Sequence, residues 1–261
     1  MVAGIDRFRE FFKDYPDHYA IIGGAACDIL FDAAGLPFRA TKDIDMVLCI
    51  EVVDKAFGEM FRDFLNAGGY EAREQSSGHR EFYRFHKPKD KNFPFMVELF
   101  SKEPDKIILP ENTGVVRLEV DDDIVSLSAI LLDPQYFEAL QNGKRVENGV
   151  TILDQSILIP FKARAFLDLT GRRDEGDTTV KGDDIKKHRA DVFRLSQLLP
   201  GNAVVQVSDP LREDVRSFLA AIEAEGTLDP RALNIPMTRE EAISFLRKAY
   251  GNAEDQTDDA L

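Results

Sequence analysis

The chain has 261 residues, enough for one sizeable core plus an accessory domain, or for one large domain. Its 44% hydrophobic and 31% charged residues make a soluble globular composition. A formal net charge of −14 sets the surface as a whole against nucleic acid, so a nucleic-acid substrate would need a local basic patch.

The two cysteines, Cys27 and Cys49, sit in apolar runs and read as buried free thiols in a reducing compartment. No cysteine and histidine cluster resembles a zinc site. The N-terminal stretch MVAGIDRFREFFKDYPD lacks the apolar core of a signal peptide, and no apolar run reaches membrane-spanning length. A cytoplasmic protein with no membrane partner is expected.

In chain order, residues 5–14 carry a helical pattern with Ile5, Phe8, Phe11 and Phe12 on one side. His18 to Ile22 is a strand candidate, broken by Gly23 and Gly24, after which ACDILFDAAG reads as a helix. A loop over 36–41 leads to a second strand, DIDMVLCI, from Asp43 to Ile50. Residues 53–67 form the next amphipathic helix, with Phe57, Met60, Phe61 and Phe64 on its apolar side. Strands follow at 79–87 and 94–101, joined by a turn at PKDKN. Strand-like pieces at 115–120 and 145–153 flank a short helix near Pro134 to Leu140.

From Ser156 the pattern turns helical. SILIPFKARAFLDLTGRR is one helix or a broken pair, DEGDTT is a loop, and a helix runs from Asp183 to Leu199. Another starts at Asp209 and Pro210 and runs to about Glu223. Thr238 with Glu241 is a capping-box signal for a last helix, and the polar, acidic end of the chain is expected to fray.

Chemistry concentrates in TKDIDMVL. Residues i and i+2 of a strand share a face, so Asp43 and Asp45 stand side by side. Two like charges this close raise each other's cost of ionisation, and a divalent cation between them removes that cost. Oxygen ligands suit magnesium or manganese. Glu98, alone among apolar residues in FPFMVELF, needs a partner. It is either a third carboxylate beside the aspartates or an edge residue paired to an arginine or lysine. Gly23 and Gly24 allow a sharp strand-to-helix turn and the close approach of a phosphate to the helix amides. No GxGxxG fingerprint or GxxxxGK[ST] loop is present, which argues against the common dinucleotide and P-loop classes.

Together these features resemble the DNA polymerase beta-like nucleotidyltransferase superfamily: a glycine pair at a helix start, a carboxylate pair on a strand, and a third carboxylate on a neighbouring strand. The segment IIGGAACDILFDAAGLPFRATKDIDMVL looks like the branch of AbiEii-type toxins and related bacterial proteins, in which an arginine and a Ser or Thr precede the aspartates, as Arg39 and Thr41 do here. The resemblance implies that Gly23 and Gly24 hold a triphosphate. It implies that Asp43, Asp45 and Glu98 bind the metals, Glu98 also activating the acceptor hydroxyl. IPFKARAFLDL is similar to the family's lysine-bearing helix, and Lys162 matches a lysine that contacts nucleotide phosphates. DDIKKHRADVFRL resembles the following helix, with Lys187 and Asp191 at matching positions and His188 where an acid is usual.

Each of these has a plainer alternative. Lys162 could snorkel beside an apolar face. Lys187 and Asp191, four apart, could be a helix-surface pair. His188 is expected to be a solvated surface histidine, an acid or base role being the alternative. Arg39 could neutralise phosphate or pair with Asp45.

The fold class that follows is α+β: a small mixed-sheet nucleotidyltransferase-like domain over 1–150, a helical region over 151–250 and a disordered tail over 251–261. The expected function is metal-dependent transfer of a nucleoside monophosphate from an NTP to a hydroxyl acceptor, with release of pyrophosphate. The acceptor could be RNA such as a tRNA end, a protein or a small molecule. The toxin branch also implies an antitoxin partner. The competing function is a non-catalytic nucleotide-binding or interaction protein on the same fold.

Overall fold

The computed structural model describes residues 2–39, 43–48, 55–76, 81–100, 130–226 and 228–251, with the backbone alone for 43–48, 71–76 and 81–83. The expected strand at 115–120, Thr41, Cys49 and the tail beyond Gly251 lie outside the described residues. Two compact units are formed, one of Met1–Val120 with Lys144–Asp154, the other of Asp121–Gly143 with Gln155–Leu261.

The first unit is α+β. Its described elements are α1 (Ile5–Phe12), β1 (Tyr19–Ile22), α2 (Gly23–Ala33), β2 (Asp43–Leu48), α3 (Lys55–Gly68), β3 (Glu71–Ser76), β4 (Glu81–His86) and β5 (Met96–Phe100). A hairpin, β6 (Lys144–Glu147) and β7 (Val150–Leu153), completes it. Among the described residues the strands form one mixed sheet in the order β3-β4-β5-β2-β1-β7-β6. β2 runs parallel to β5 and antiparallel to β1, and β1 runs parallel to β7. All four residues of β1, which lies between β2 and β7, are buried.

Phenylalanine supplies the core. Phe8 and Phe12 of α1 stack at 4.5 Å, and Phe12 meets Phe57, Phe61 and Phe64 of α3 at 5.3 to 6.0 Å. Spacings of three and four along each helix bring these rings onto facing stripes, and edge-on rings interlock better than flat ones. The stretch at 145–153 is a hairpin rather than a single strand. Asn148 and Gly149 both have positive φ, 49° and 76°, which a two-residue turn between twisted strands requires.

The second unit is helical: α4 (Pro134–Asn142), α5 (Gln155–Asp174), α6 (Gly182–Ser196), α7 (Asp209–Glu225) and α8 (Arg239–Tyr250). No helix among the described residues is long and apolar enough to cross a membrane. The capping box of α8 is present. The Thr238 hydroxyl accepts the Glu241 amide at 3.2 Å, and the Glu241 carboxylate accepts the Thr238 amide at 2.7 Å. That amide holds the Glu241 carboxyl below its usual range.

SILIPFKARAFLDLTGRR proves to be one helix despite Pro160 within it. A proline has no N–H for the carbonyl four residues back, here Ser156. The Tyr250 hydroxyl donates to that carbonyl at 2.6 Å. Tyr250→Phe keeps the packing of the ring and deletes the donor, so it should cost about 1–3 kcal/mol of stability, read from urea unfolding midpoints. A loss within error would mean that the carbonyl is satisfied without it.

Candidate functional site

The sheet brings three strands of chemical interest side by side. Asp45 lies opposite Glu98 in the β2–β5 ladder and opposite Ile22 in the β1–β2 ladder. Glu98 in turn lies opposite Arg84 in the β4–β5 ladder. One cross-sheet row therefore reads Arg84, Glu98, Asp45, Ile22, with neighbours about 4.8 Å apart. Position 43, two residues from Asp45, falls on the same face as the row by the alternation of the strand.

The row ends where α2 begins. Ile22 is extended, with φ −126°, and Gly23 turns to φ +69°, a conformation that a side chain strains and glycine does not. Ile22 has no oxygen to cap the first turn, and that turn, Gly23-Gly24-Ala25-Ala26, carries neither acid nor bulk. The first amides of a helix have no partner within the helix, and they favour an anion. α2 thus starts one residue past the position aligned with Asp45.

Glu98 is 7% exposed, between Val97 at 0% and Leu99 at 1%. Arg84 Nε donates to Glu98 Oε1 at 2.6 Å, and Nη2 of the same guanidinium pairs with that oxygen. A nearly buried carboxylate needs such a counter-charge. Of the two partners expected for Glu98, the arginine is present, and the aspartates stand in the adjoining strand. Arg84 itself was not singled out from HREFYRFHK. The available signal was a cation between Tyr83 and Phe85 in one strand and a lone acid in the next, but it becomes a pair only once the strands are known to be neighbours.

The other candidate residues have described surroundings of their own. The Arg39 guanidinium stacks over the Phe38 ring, 5.3 Å from its centroid. In the helical unit Lys162 is 5% exposed and Asp191 fully buried, their charged atoms 3.5 Å apart. Arg194 adds a second contact to Asp191 at 3.2 Å. Lys187 is half-buried on the same helix as Asp191. His188, expected on the solvated surface, is 8% exposed. It shares a helical stripe with Asp191, Val192 and Leu195, all buried, so the face that packs carries it inward.

A further buried network was missed in the sequence. The Tyr136 hydroxyl donates to Asp214 at 2.7 Å, and Arg164 Nη1 reaches both oxygens of that carboxylate at 3.1 and 3.3 Å. Burial, reinforced by the neighbouring Asp214, pushes the Tyr136 phenol well above its usual range and keeps it a donor. Asp214 lies 78 residues from Tyr136 and 50 from Arg164, beyond any local pattern.

No family model matches the chain, and no curated protein matches it. Among solved structures it is similar to an antigenic nucleotidyltransferase-like protein from Paracoccidioides brasiliensis, at 18% identity over 86% of this chain and 88% of that one, with a TM-score of 0.42. It is also similar to the antibiotic-resistance factor ANT(2'')-Ia, at 13% identity over 85% of this chain and 95% of that one, with a TM-score of 0.39. A third is the Megavirus polyadenylate synthase, at 11% identity over 85% of this chain and 36% of that one, with a TM-score of 0.40. Likeness this distant carries neither residues nor an activity over to this chain.

Proposed function

We propose that the chain is a metal-dependent nucleotidyltransferase whose site is built on the cross-sheet row. The observation that carries the reading is the alignment of Asp45 with Glu98 on parallel neighbouring strands, one residue from the glycine start of α2. Asp43, Asp45 and Glu98 would hold magnesium or manganese. Three carboxylates offer the hard oxygen donors such ions prefer, and the nearly buried Glu98 already keeps a cationic partner. A bound divalent cation supplies neutralisation of charge at the transferred phosphoryl group and lowers the pKa of the attacking hydroxyl.

The chain's own residues do the rest. The amides of Gly23 and Gly24 hold the anionic phosphates of an NTP at the start of α2, and Arg39 and Thr41 are assigned to the same phosphates. The acceptor oxygen bonds to the α-phosphorus as the bond to the pyrophosphate oxygen breaks. The hydroxyl proton passes to the Glu98 carboxylate.

The acceptor we favour is a protein or small-molecule hydroxyl rather than a long RNA. The short basic clusters of the helical unit, at 172–173 and 186–189, already carry acids: Arg172 pairs with Asp177, Lys186 with Asp183 and Arg189 with Glu225. With a net charge of −14, little remains to attract a polyanion. An antitoxin partner would follow from the AbiEii-like branch.

The second reading, a nucleotide-binding protein without catalysis, is favoured by one observation: the Glu98–Arg84 pair could serve the sheet alone. One experiment separates the two. The purified chain is incubated with each α-phosphate-labelled NTP, magnesium or manganese, and cellular RNA, protein and small-molecule fractions. Label in an acceptor is expected, and the labelled fraction names its class. Metal-dependent NTP binding without label transfer would favour the second reading, and neither would remove both.

A further inference from the structure

We propose that Arg84 is a built-in competitor of the metal, a resident counter-charge that a divalent cation must draw Glu98 away from. The inference rests on the reading that Asp43, Asp45 and Glu98 hold that cation.

Both Nε and Nη2 of Arg84 converge on one oxygen, Glu98 Oε1, the former at 2.6 Å. The Glu98 side chain is 9% exposed and that of Arg84 22%. The acid is therefore locked in, while the arginine lies nearer the solvent. Register keeps the two together, since their Cα positions are direct partners across β4 and β5. On the other side of Glu98 the row continues to Asp45, a second negative charge one strand away.

Without a cation, the nearly buried Glu98 carboxylate keeps the Arg84 guanidinium as a counter-charge, one strand from the Asp45 position. A divalent cation on Glu98 would sit within a few ångströms of that guanidinium. The two like charges then oppose each other in a partly dry site, where screening is weak. Arg84 and the cation thus compete for one carboxylate. A guanidinium that loses its carboxylate is well matched to phosphate oxygens, so an incoming nucleotide offers it a replacement. The device lowers metal affinity, and without metal Glu98 keeps a counter-charge from the protein's own side chain.

The test is a Mn2+ titration without nucleotide, read by the electron paramagnetic resonance of free Mn2+, on the full chain. Arg84→Gln should bind Mn2+ at least about tenfold more tightly than the unaltered protein. Its thermal midpoint should fall without metal and rise more on adding Mn2+. Arg84→Lys keeps a charge but loses the fork, and should lie between the two. Unchanged or weaker Mn2+ binding by Arg84→Gln would overturn the proposal, since a merely structural arginine misplaces Glu98 when removed. Should Arg84→Gln fail to fold, the lysine variant decides: binding no tighter than that of the unaltered chain overturns it. If the unaltered chain shows no Mn2+ binding that Asp43→Asn removes, the metal reading itself falls and takes this inference with it.

Discussion

Replacing Asp43 or Asp45 with Asn should lower nucleotidyl transfer by at least about a thousandfold while the fold survives. Asn keeps the shape of the side chain and removes the charge that would hold a cation. The transition-state stabilisation supplied through a bound metal amounts to several kcal/mol, and each 1.36 kcal/mol is about tenfold in rate. The positions make the result specific. Asp45 is the strand partner of Glu98, and Asp43 falls on the same face two residues along. A structural role would instead lower the melting midpoint. Removing a negative charge from an acidic row relieves repulsion, so the metal-free variants should melt at or above the midpoint of the unaltered protein. Initial rates with labelled NTP and thermal melts by circular dichroism read both effects. Transfer retained in either variant would mean that the chemistry is elsewhere.

The second large effect is on stability. Asp191→Ala should cost the helical unit about 3–5 kcal/mol, because it leaves the buried ammonium of Lys162 without the carboxylate 3.5 Å away. Lys162→Met should cost less, since Asp191 keeps Arg194 at 3.2 Å. The double variant Lys162→Met with Asp191→Leu should recover most of the loss, because an apolar pair of similar volume removes both desolvation penalties. Arg194, 21% exposed at its side chain, can then turn to water. Urea unfolding followed at the helical signal measures all three. The double variant also separates the roles of Lys162. Normal stability with a raised KM for NTP would assign the lysine to the nucleotide phosphates, and normal stability with normal kinetics would make the pair purely structural.

What could be read from the chain alone was whatever depends on neighbours in sequence. The amphipathic stripe of α3, the Asp-Pro start of α7 and the Thr238–Glu241 box of α8 are local signals, and the structure has each of them. The turn at Gly23 was legible for the same reason: a glycine pair between a strand and a helix marks a sharp turn, and Gly23 has a positive φ, 69°. β3 was not seen because EAREQS has no apolar alternation. It lies at the edge of the described sheet order, where a strand has a neighbour on one side alone and polar composition discourages further pairing.

The remaining misses are all long-range. Asp45 and Glu98 could be named as acids, but not as strand partners, because 53 residues separate them and parallel pairing leaves no local mark. Arg84 followed the same logic one strand further. Pro160 argued for a break in the helix, and the compensating hydroxyl comes from Tyr250, 94 residues from the carbonyl it satisfies. His188 looked solvated because charged residues flank it, whereas the packing face of α6 was set by Val192 and Leu195.

The most direct measurement is a crystal structure of the chain with Mn2+ and a non-hydrolysable NTP, using the anomalous signal of manganese. The account predicts a manganese peak bound by the carboxylates of Asp43, Asp45 and Glu98, with the phosphates at the first turn of α2. Manganese elsewhere, or nucleotide bound with Glu98 still held by Arg84 and no metal on the aspartates, would contradict it.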